Sequence, residues 1–329
     1  MPSAGSTVDV MLAIVAPGQG AQTPGFLTPW LELPGFAERF EWLSTVAGID
    51  LVTHGTVSDA ETIRDTAVAQ PLLVATGLVS LLALFPSPAD AYAQVSTGAG
   101  HSVGEITAAA GAGVISAEAA MVFVRERGNA MARASAARPT GMSAVLGGDP
   151  MEVMARLHKL GLTPANVNTA VEVLAKHAAA ISTKDPRVAL LSNADGTVVH
   201  SGTEVLQRLV AQVSKPVRWD RCMQTMTDQG ITGLIELPPA GTLVGLAKRG
   251  MKGVETLALK SPDDLDKARD MAARHARPTD LSQSPTWRLV VAPAKGVIHL
   301  PDRSRTGADI PAGQVVAQVH GGRETYEVS

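Results

Sequence analysis

The sequence predicts an α/β protein whose core is a parallel sheet covered on both faces. Three observations carry that expectation. Apolar strand-like runs alternate with helix-length segments from residue 11 to about residue 277. The first run, 11–16, empties into a glycine-rich loop, Pro17-Gly18-Gln19-Gly20-Ala21-Gln22. A second glycine-punctuated segment, Gly100-His101-Ser102-Val103-Gly104, stands between a strand-like approach (93–99) and a small-residue helix (105–112).

Taken in order, 11–16 reads as a buried first strand. Segments 36–46 and 61–68 have helical patterning, and 70–84 is a long apolar helix of the core. Ser116 is placed to cap a helix over 117–137, with Glu118 in its first turn. A strand at 142–146, a helix at 150–160, a short strand at 165–167 and a helix at 171–181 follow. Segments 188–192 and 198–199 flank Asn193-Ala194-Asp195-Gly196, which predicts a hairpin. Helices at 204–213 and 219–229, a strand at 233–237 and helices at 241–249 and 265–277 complete the alternation.

Composition narrows the function. The 329 residues allow one large domain plus a smaller unit. Aromatic side chains make up only 3%, so Ala, Val and Leu must fill the core. A net charge of −3 with no basic stripe argues against nucleic acid as the main partner. Cys222 is the only cysteine, so no intrachain disulfide and no cysteine-based metal site is expected. No apolar run reads as membrane-spanning, and the N-terminus lacks an export-signal pattern. A cytoplasmic protein without a membrane partner is the expectation.

Gly-x-Ser-x-Gly between a strand and a helix is the nucleophile elbow of serine acyl-transfer chemistry. The sharp turn exposes the Ser102 hydroxyl. Glycines flank it because a Cβ there would strike the neighbouring strand or helix. The helix N-terminus adds partial positive charge and free N–H groups beside the nucleophile.

Eight segments, in order and spanning residue 11 to about 265, resemble the malonyl-CoA:acyl-carrier-protein transacylases of bacterial type II fatty acid synthesis. They are Ala16-Pro17-Gly18-Gln19-Gly20-Ala21-Gln22, Thr66-Ala67-Val68-Ala69-Gln70-Pro71, Gly100-His101-Ser102-Val103-Gly104-Glu105, Arg127-Gly128, Gly141-Met142-Ser143-Ala144-Val145, Ala165-Asn166-Val167-Asn168, Lys215-Pro216-Val217-Arg218-Trp219 and Glu236-Leu237-Pro238-Pro239-Ala240-Gly241. The resemblance implies an α/β-hydrolase-like sheet domain (1–138 and 171–277). It implies a small ferredoxin-like subdomain, here truncated to 139–170, and leaves a linker plus a β-rich extension at 278–329.

The same resemblance implies S-malonyl transfer. Ser102 attacks malonyl-CoA to form a malonyl-serine ester, and the phosphopantetheine thiol of acyl carrier protein takes the group. Malonyl-CoA is then a substrate, acyl carrier protein the partner, and no permanently bound cofactor is implied. The backbone N–H groups of Gln19 and Val103 form the oxyanion hole, and Arg127 pairs with the malonyl carboxylate. The plainer readings are a turn residue for Gln19 and a surface ion pair with Glu126 or Glu118 for Arg127. Arg125 reads as a solvated charge. His101 leaves the turn in a different direction from Ser102 and reads as a structural histidine lining the pocket rather than a general base. Asn166 and Asn168 match a family Asn-x-Asn; they line the pocket or satisfy loop backbone. The alternatives are a polyketide-type acyltransferase for another carboxylated extender unit, a catalytically silent carrier-protein-binding homologue, and a generic serine hydrolase.

One family segment has no counterpart. The family supplies its catalytic histidine well downstream of Asn-x-Asn, whereas here Asn168 runs directly into 169–177, which resembles the helix after that histidine. On the order of 50 residues of the family's βαββαβ subdomain are absent. His54, His158, His177, His200, His275, His299 and His320 all read as solvent-exposed. A serine without its base retains only residual catalysis. Beyond a linker at 278–285, segments 288–298 and 310–319 alternate like short strands. They resemble half of a biotinyl/lipoyl module without its Met-Lys-Met attachment site, so no biotin or lipoyl group is expected and Lys295 reads as a turn residue.

Overall fold

Leu12–Ala16 forms the central strand β1, and every one of its residues is buried. Its side chains alternate between two cores: Leu12, Ile14 and Ala16 join one, Ala13 and Val15 the other. A strand buried on both faces is the signature of a helix-covered sheet. The computed structural model describes residues 10–137, 150–161 and 168–276, and the strands at 297–299, 317–321 and 324–328. The chain divides into two compact units, Met1–Pro278 and Thr279–Ser329.

In the first unit the sheet also contains β2 (Val95–Gly100), β3 (Ala189–Leu191), β4 (Val198–Val199), β5 (Gly233–Glu236) and β6 (Glu255–Ala258). Their order is β4-β3-β2-β1-β5-β6. Only β4 runs antiparallel, pairing with β3 in the expected hairpin. Ala16 lies opposite Gly100, which brings the loop after β1 beside the elbow after β2. The chain moves outward from β1 on both sides. The crevice beyond the carboxyl ends of the central strands is therefore where such a sheet binds ligands.

The helices follow the sequence with local corrections. The apolar core helix is Thr66–Leu84, beginning before residue 70 because Asp65 caps it, its side chain accepting the Ala67 N–H at 2.8 Å. Residues 61–68 are therefore not one helix but a 3₁₀ turn, Thr62–Arg64, followed by that cap. The expectation about membrane-spanning runs is also corrected. This 19-residue helix is long and apolar enough to cross a bilayer, but most of it is buried inside the protein, which is why it is apolar all round. Residues 93–94 close the helix Pro88–Gln94 rather than opening β2. Helix Ala117–Ala137 has the expected bounds and packs against Thr66–Leu84. Helix Leu51–Thr56 and strand β6 are additions to the sequence reading.

Helix Pro150–Lys159 is present, whereas the strands expected at 142–146 and 165–167 lie outside the described residues. In the second unit, β7 (Val297–His299), β8 (Ala317–Gly321) and β9 (Glu324–Val328) form an antiparallel sheet in that order. The expected strands 288–298 and 310–319 overlap β7 and β8 only at their ends, and β9 was not expected. Residues 288–296 and 310–316, Lys295 included, lie outside the described residues.

Candidate functional site

The elbow is built by close backbone approach. The His101 N–H donates to the Ala16 carbonyl at 2.9 Å, tying the turn to β1. A Cβ on Gly100 would collide with the Gly104 backbone, and one on Gly104 with the Ala16 carbonyl oxygen. Ser102 between them adopts φ 54°, the left-handed region that a serine rarely occupies. Such a conformation costs about 1–3 kcal/mol and persists only where its surroundings enforce it.

Asn193 supplies that enforcement. Its Oδ1 accepts the Ser102 N–H at 2.7 Å, and its Nδ2 donates to the Gly100 carbonyl at 2.8 Å. Its own N–H donates to Glu105 Oε1 at 2.6 Å. One fully buried amide thus splints both sides of Ser102. Burial pushes the Glu105 carboxyl up to about 8, against the opposing pull of the Asn193 N–H and the Arg127 charge. Cys222, beneath the same amide, has its thiol pushed up to about 12 by burial and is inert.

Arg127 comes in from helix Ala117–Ala137 and is only 2% exposed. Its Nη1 donates to Gln70 Oε1 and its Nη2 to Gln212 Oε1, both at 2.6 Å. Nη2 also lies 3.4 Å from Ser102 Oγ. Burial lowers its pKa to about 10, with the Glu105 charge opposing, so it stays cationic at neutral pH. The surface-ion-pair reading of Arg127 is overturned. Glu126 pairs with Arg125 at 2.9 Å, Glu118 accepts from Trp42 Nε1 at 3.4 Å, and among the described residues Arg127 has no ion pair. What remains is a buried cation held by neutral carbonyls and aimed at a hydroxyl.

The loop after β1 closes the site from the other side. Gln19 Nε2 donates to the Arg64 carbonyl at 2.9 Å and Gln22 Nε2 to the Ile63 carbonyl at 3.0 Å. Among the described residues, neither the Gln19 nor the Val103 backbone N–H has an acceptor. His101 packs edge-on against Trp219, ring centroids 5.8 Å apart, and burial lowers its pKa. Among the described residues, Arg127 is the one side chain hydrogen-bonded to Ser102 Oγ. The reading of His275 as exposed is corrected. It is 9% exposed, with Nδ1 2.8 Å from Thr232 Oγ1 and Nε2 2.8 Å from Glu255 Oε2. That pairing ties the final helix to the β5–β6 edge. Asn166 lies outside the described residues, and Asn168 opens helix Asn168–Ala178 with its side chain not among those described. Among the described residues, no cluster of three or more His, Cys, Asp or Glu is placed to hold a metal.

Gln212 and the splinting role of Asn193 escaped the sequence reading. The available signal for Gln212 was its place on the buried stripe of helix Gly202–Gln212, in line with Val205 and Leu209. Fold and elbow together define a mixed α/β protein with a Gly-x-Ser-x-Gly turn between a central strand and a helix. No family model matches the chain. A curated malonyl CoA-acyl carrier protein transacylase of Mycobacterium tuberculosis is 45% identical over 298 residues, covering 78% of this chain and 98% of that protein. The Escherichia coli K12 protein of the same name is 26% identical over 308 residues, covering 79% of this chain and 99% of the relative. The crystal structure of MCAT from M. tuberculosis superposes with a TM-score of 0.73 at 42% identity, covering 79% of this chain and 99% of that one. The chain belongs to the malonyl CoA-acyl carrier protein transacylase family. Since 78% of 329 residues is about 257, about 41 of the 298 positions aligned with the mycobacterial relative have no residue here.

Proposed function

We propose that this protein moves the malonyl group of malonyl-CoA to the phosphopantetheine thiol of acyl carrier protein through an ester on Ser102. The observation that carries the reading is the buried Arg127 guanidinium 3.4 Å from the Ser102 hydroxyl, with no direct ion pair among the described residues. A guanidinium matches a carboxylate fork to fork, and leaving it unpaired in a dry site costs several kcal/mol. A malonyl carboxylate seated on Arg127 brings the thioester carbonyl to Ser102.

Ser102 Oγ attacks that carbonyl, its proton passes to solvent base, and the C–S bond breaks to release CoA thiol. The tetrahedral oxyanion accepts from the Gln19 and Val103 N–H groups, donors of the kind worth about 3–4 kcal/mol each. In the second half the carrier thiol attacks the ester, and the serine recovers its proton. His101, turned onto Trp219, takes no proton in either step. We place the missing alignment positions in the segment that carries the family's catalytic histidine, and turnover is correspondingly slow. Residues 139–170 are then the remnant of a ferredoxin-like subdomain set into an α/β-hydrolase-like domain (1–138 and 171–277), followed by a linker and β-rich extension (278–329). The protein works in the cytoplasm, where both substrates are found, and needs no resident cofactor.

The test is initial-rate kinetics with malonyl-CoA and holo acyl carrier protein. Parallel double-reciprocal lines, with Ser102→Ala at background, support the proposal. Carrier-protein binding with no transfer above background points instead to a silent binding homologue.

A further inference from the structure

A separate cavity of about 300 Å³ opens at the opposite end of the sheet from the elbow, walled by Tyr92, Ser96, Arg187, Val188, Val199 and His200. It lies where β2 begins, whereas Ser102 follows the end of β2. Six residues of strand separate the two sites by about 17–20 Å. Nothing in the acyl-transfer reading uses it.

Three features of the cavity point the same way. The exposed Arg187 has no ion pair among the described residues; its guanidinium carbon sits 5.3 Å over the Tyr92 ring. No Asp or Glu lines the cavity, so the cation there is uncompensated. Ser96 is 8% exposed, and its Oγ is buried without a hydrogen-bond partner. A buried hydroxyl left unpaired is costly and marks a place where something polar belongs. The inner wall, by contrast, is apolar. Tyr92, Val95 and Val188 also line an adjoining void of about 30 Å³ that reaches Leu81 and Ala91.

We propose that this cavity binds a small monocarboxylate with a short aliphatic tail. The carboxylate takes the Arg187 guanidinium, the Ser96 hydroxyl joins it by rotating out of its buried position in the cavity wall, and the tail lies along Val95 and Val188. A doubly charged oxyanion such as phosphate would set its second charge over that apolar wall, at a desolvation cost.

Calorimetric titration of the full chain with hexanoate, acetate and inorganic phosphate tests this. Hexanoate is expected to bind saturably, one per chain, and more tightly than acetate, by up to about fourfold per buried methylene. Arg187→Gln should weaken it at least tenfold. Ala93→Trp, at an exposed cavity-lining position, should block it, while Ser102→Ala binds as wild type. Absence of saturable binding, equal affinity for phosphate, or indifference to both cavity variants would overturn the proposal. None of these results depends on turnover.

Discussion

Replacing Arg127 by leucine separates its two jobs. In the folded protein it donates to two buried amide oxygens, Gln70 at 2% exposure and Gln212 at 8%. Each orphaned acceptor costs about 1–3 kcal/mol, and removing an unpaired buried cation offsets part of that, so Arg127→Leu should lose at most about 2–6 kcal/mol of stability. In the proposed reaction it would offer two charge-assisted hydrogen bonds to the malonyl carboxylate, each about 1.5–3 kcal/mol, or roughly 10²–10⁴ in kcat/KM together. Acetyl-CoA has no such carboxylate and escapes the second loss. The assay is CoA release with malonyl-CoA and with acetyl-CoA, for wild type, Arg127→Leu and Arg127→Lys, with thermal melts on the same samples. The malonyl-to-acetyl preference should collapse in Arg127→Leu and recover only partly in Arg127→Lys, which keeps the charge but not the fork. Equal losses for both substrates would refute the carboxylate role and leave Arg127 as a structural cation.

Three further outcomes follow from the elbow. Asn193→Ala orphans the Ser102 N–H and the Gly100 carbonyl together and should lower Tm by about 5–15 °C, read by calorimetry, with a parallel fall in Ser102 reactivity toward an acylating probe. Gly104→Ala should destabilise the protein in denaturant melts although alanine gains about 1 kcal/mol of helix propensity, because the new Cβ meets the Ala16 carbonyl. Glu105 sets a pH dependence. Burial holds its folded pKa at about 8 against an ordinary value of about 4.5, so the folded state keeps a proton that the unfolded chain gives up between those values. Stability contributed by this group therefore falls as pH rises from about 4.5 to about 8. Glu105→Gln should flatten that slope by on the order of a few kcal/mol in urea melts run across the range.

The parts legible in the sequence are those fixed by neighbours along the chain. The elbow shows because glycines two residues either side of Ser102 answer local collisions, and the helix Ala117–Ala137 shows through its cap and apolar spacing. Arg127 was found through likeness to a family rather than by pattern. Its environment was not legible, since Gln70 and Gln212 lie 57 and 85 residues away and carry no local mark of pairing. Asn193 looked like any turn-opening asparagine, and its 91-residue reach to Ser102 exists only once β3 is laid beside β2. Strand β6 was missed because one exposed and three half-buried residues at a sheet edge have little periodicity to read. His275 was misjudged because its polar neighbours in sequence are exposed while its own ring turns inward onto Thr232.

The central claim, that Ser102 is the acyl carrier, is tested most directly by intact-mass measurement after mixing the protein with malonyl-CoA, quenching in acid and mapping peptides. A gain of one malonyl group on the peptide holding Ser102, absent in Ser102→Ala, is the predicted result. An unmodified wild-type chain at every mixing time, or a malonyl group carried elsewhere, would contradict it.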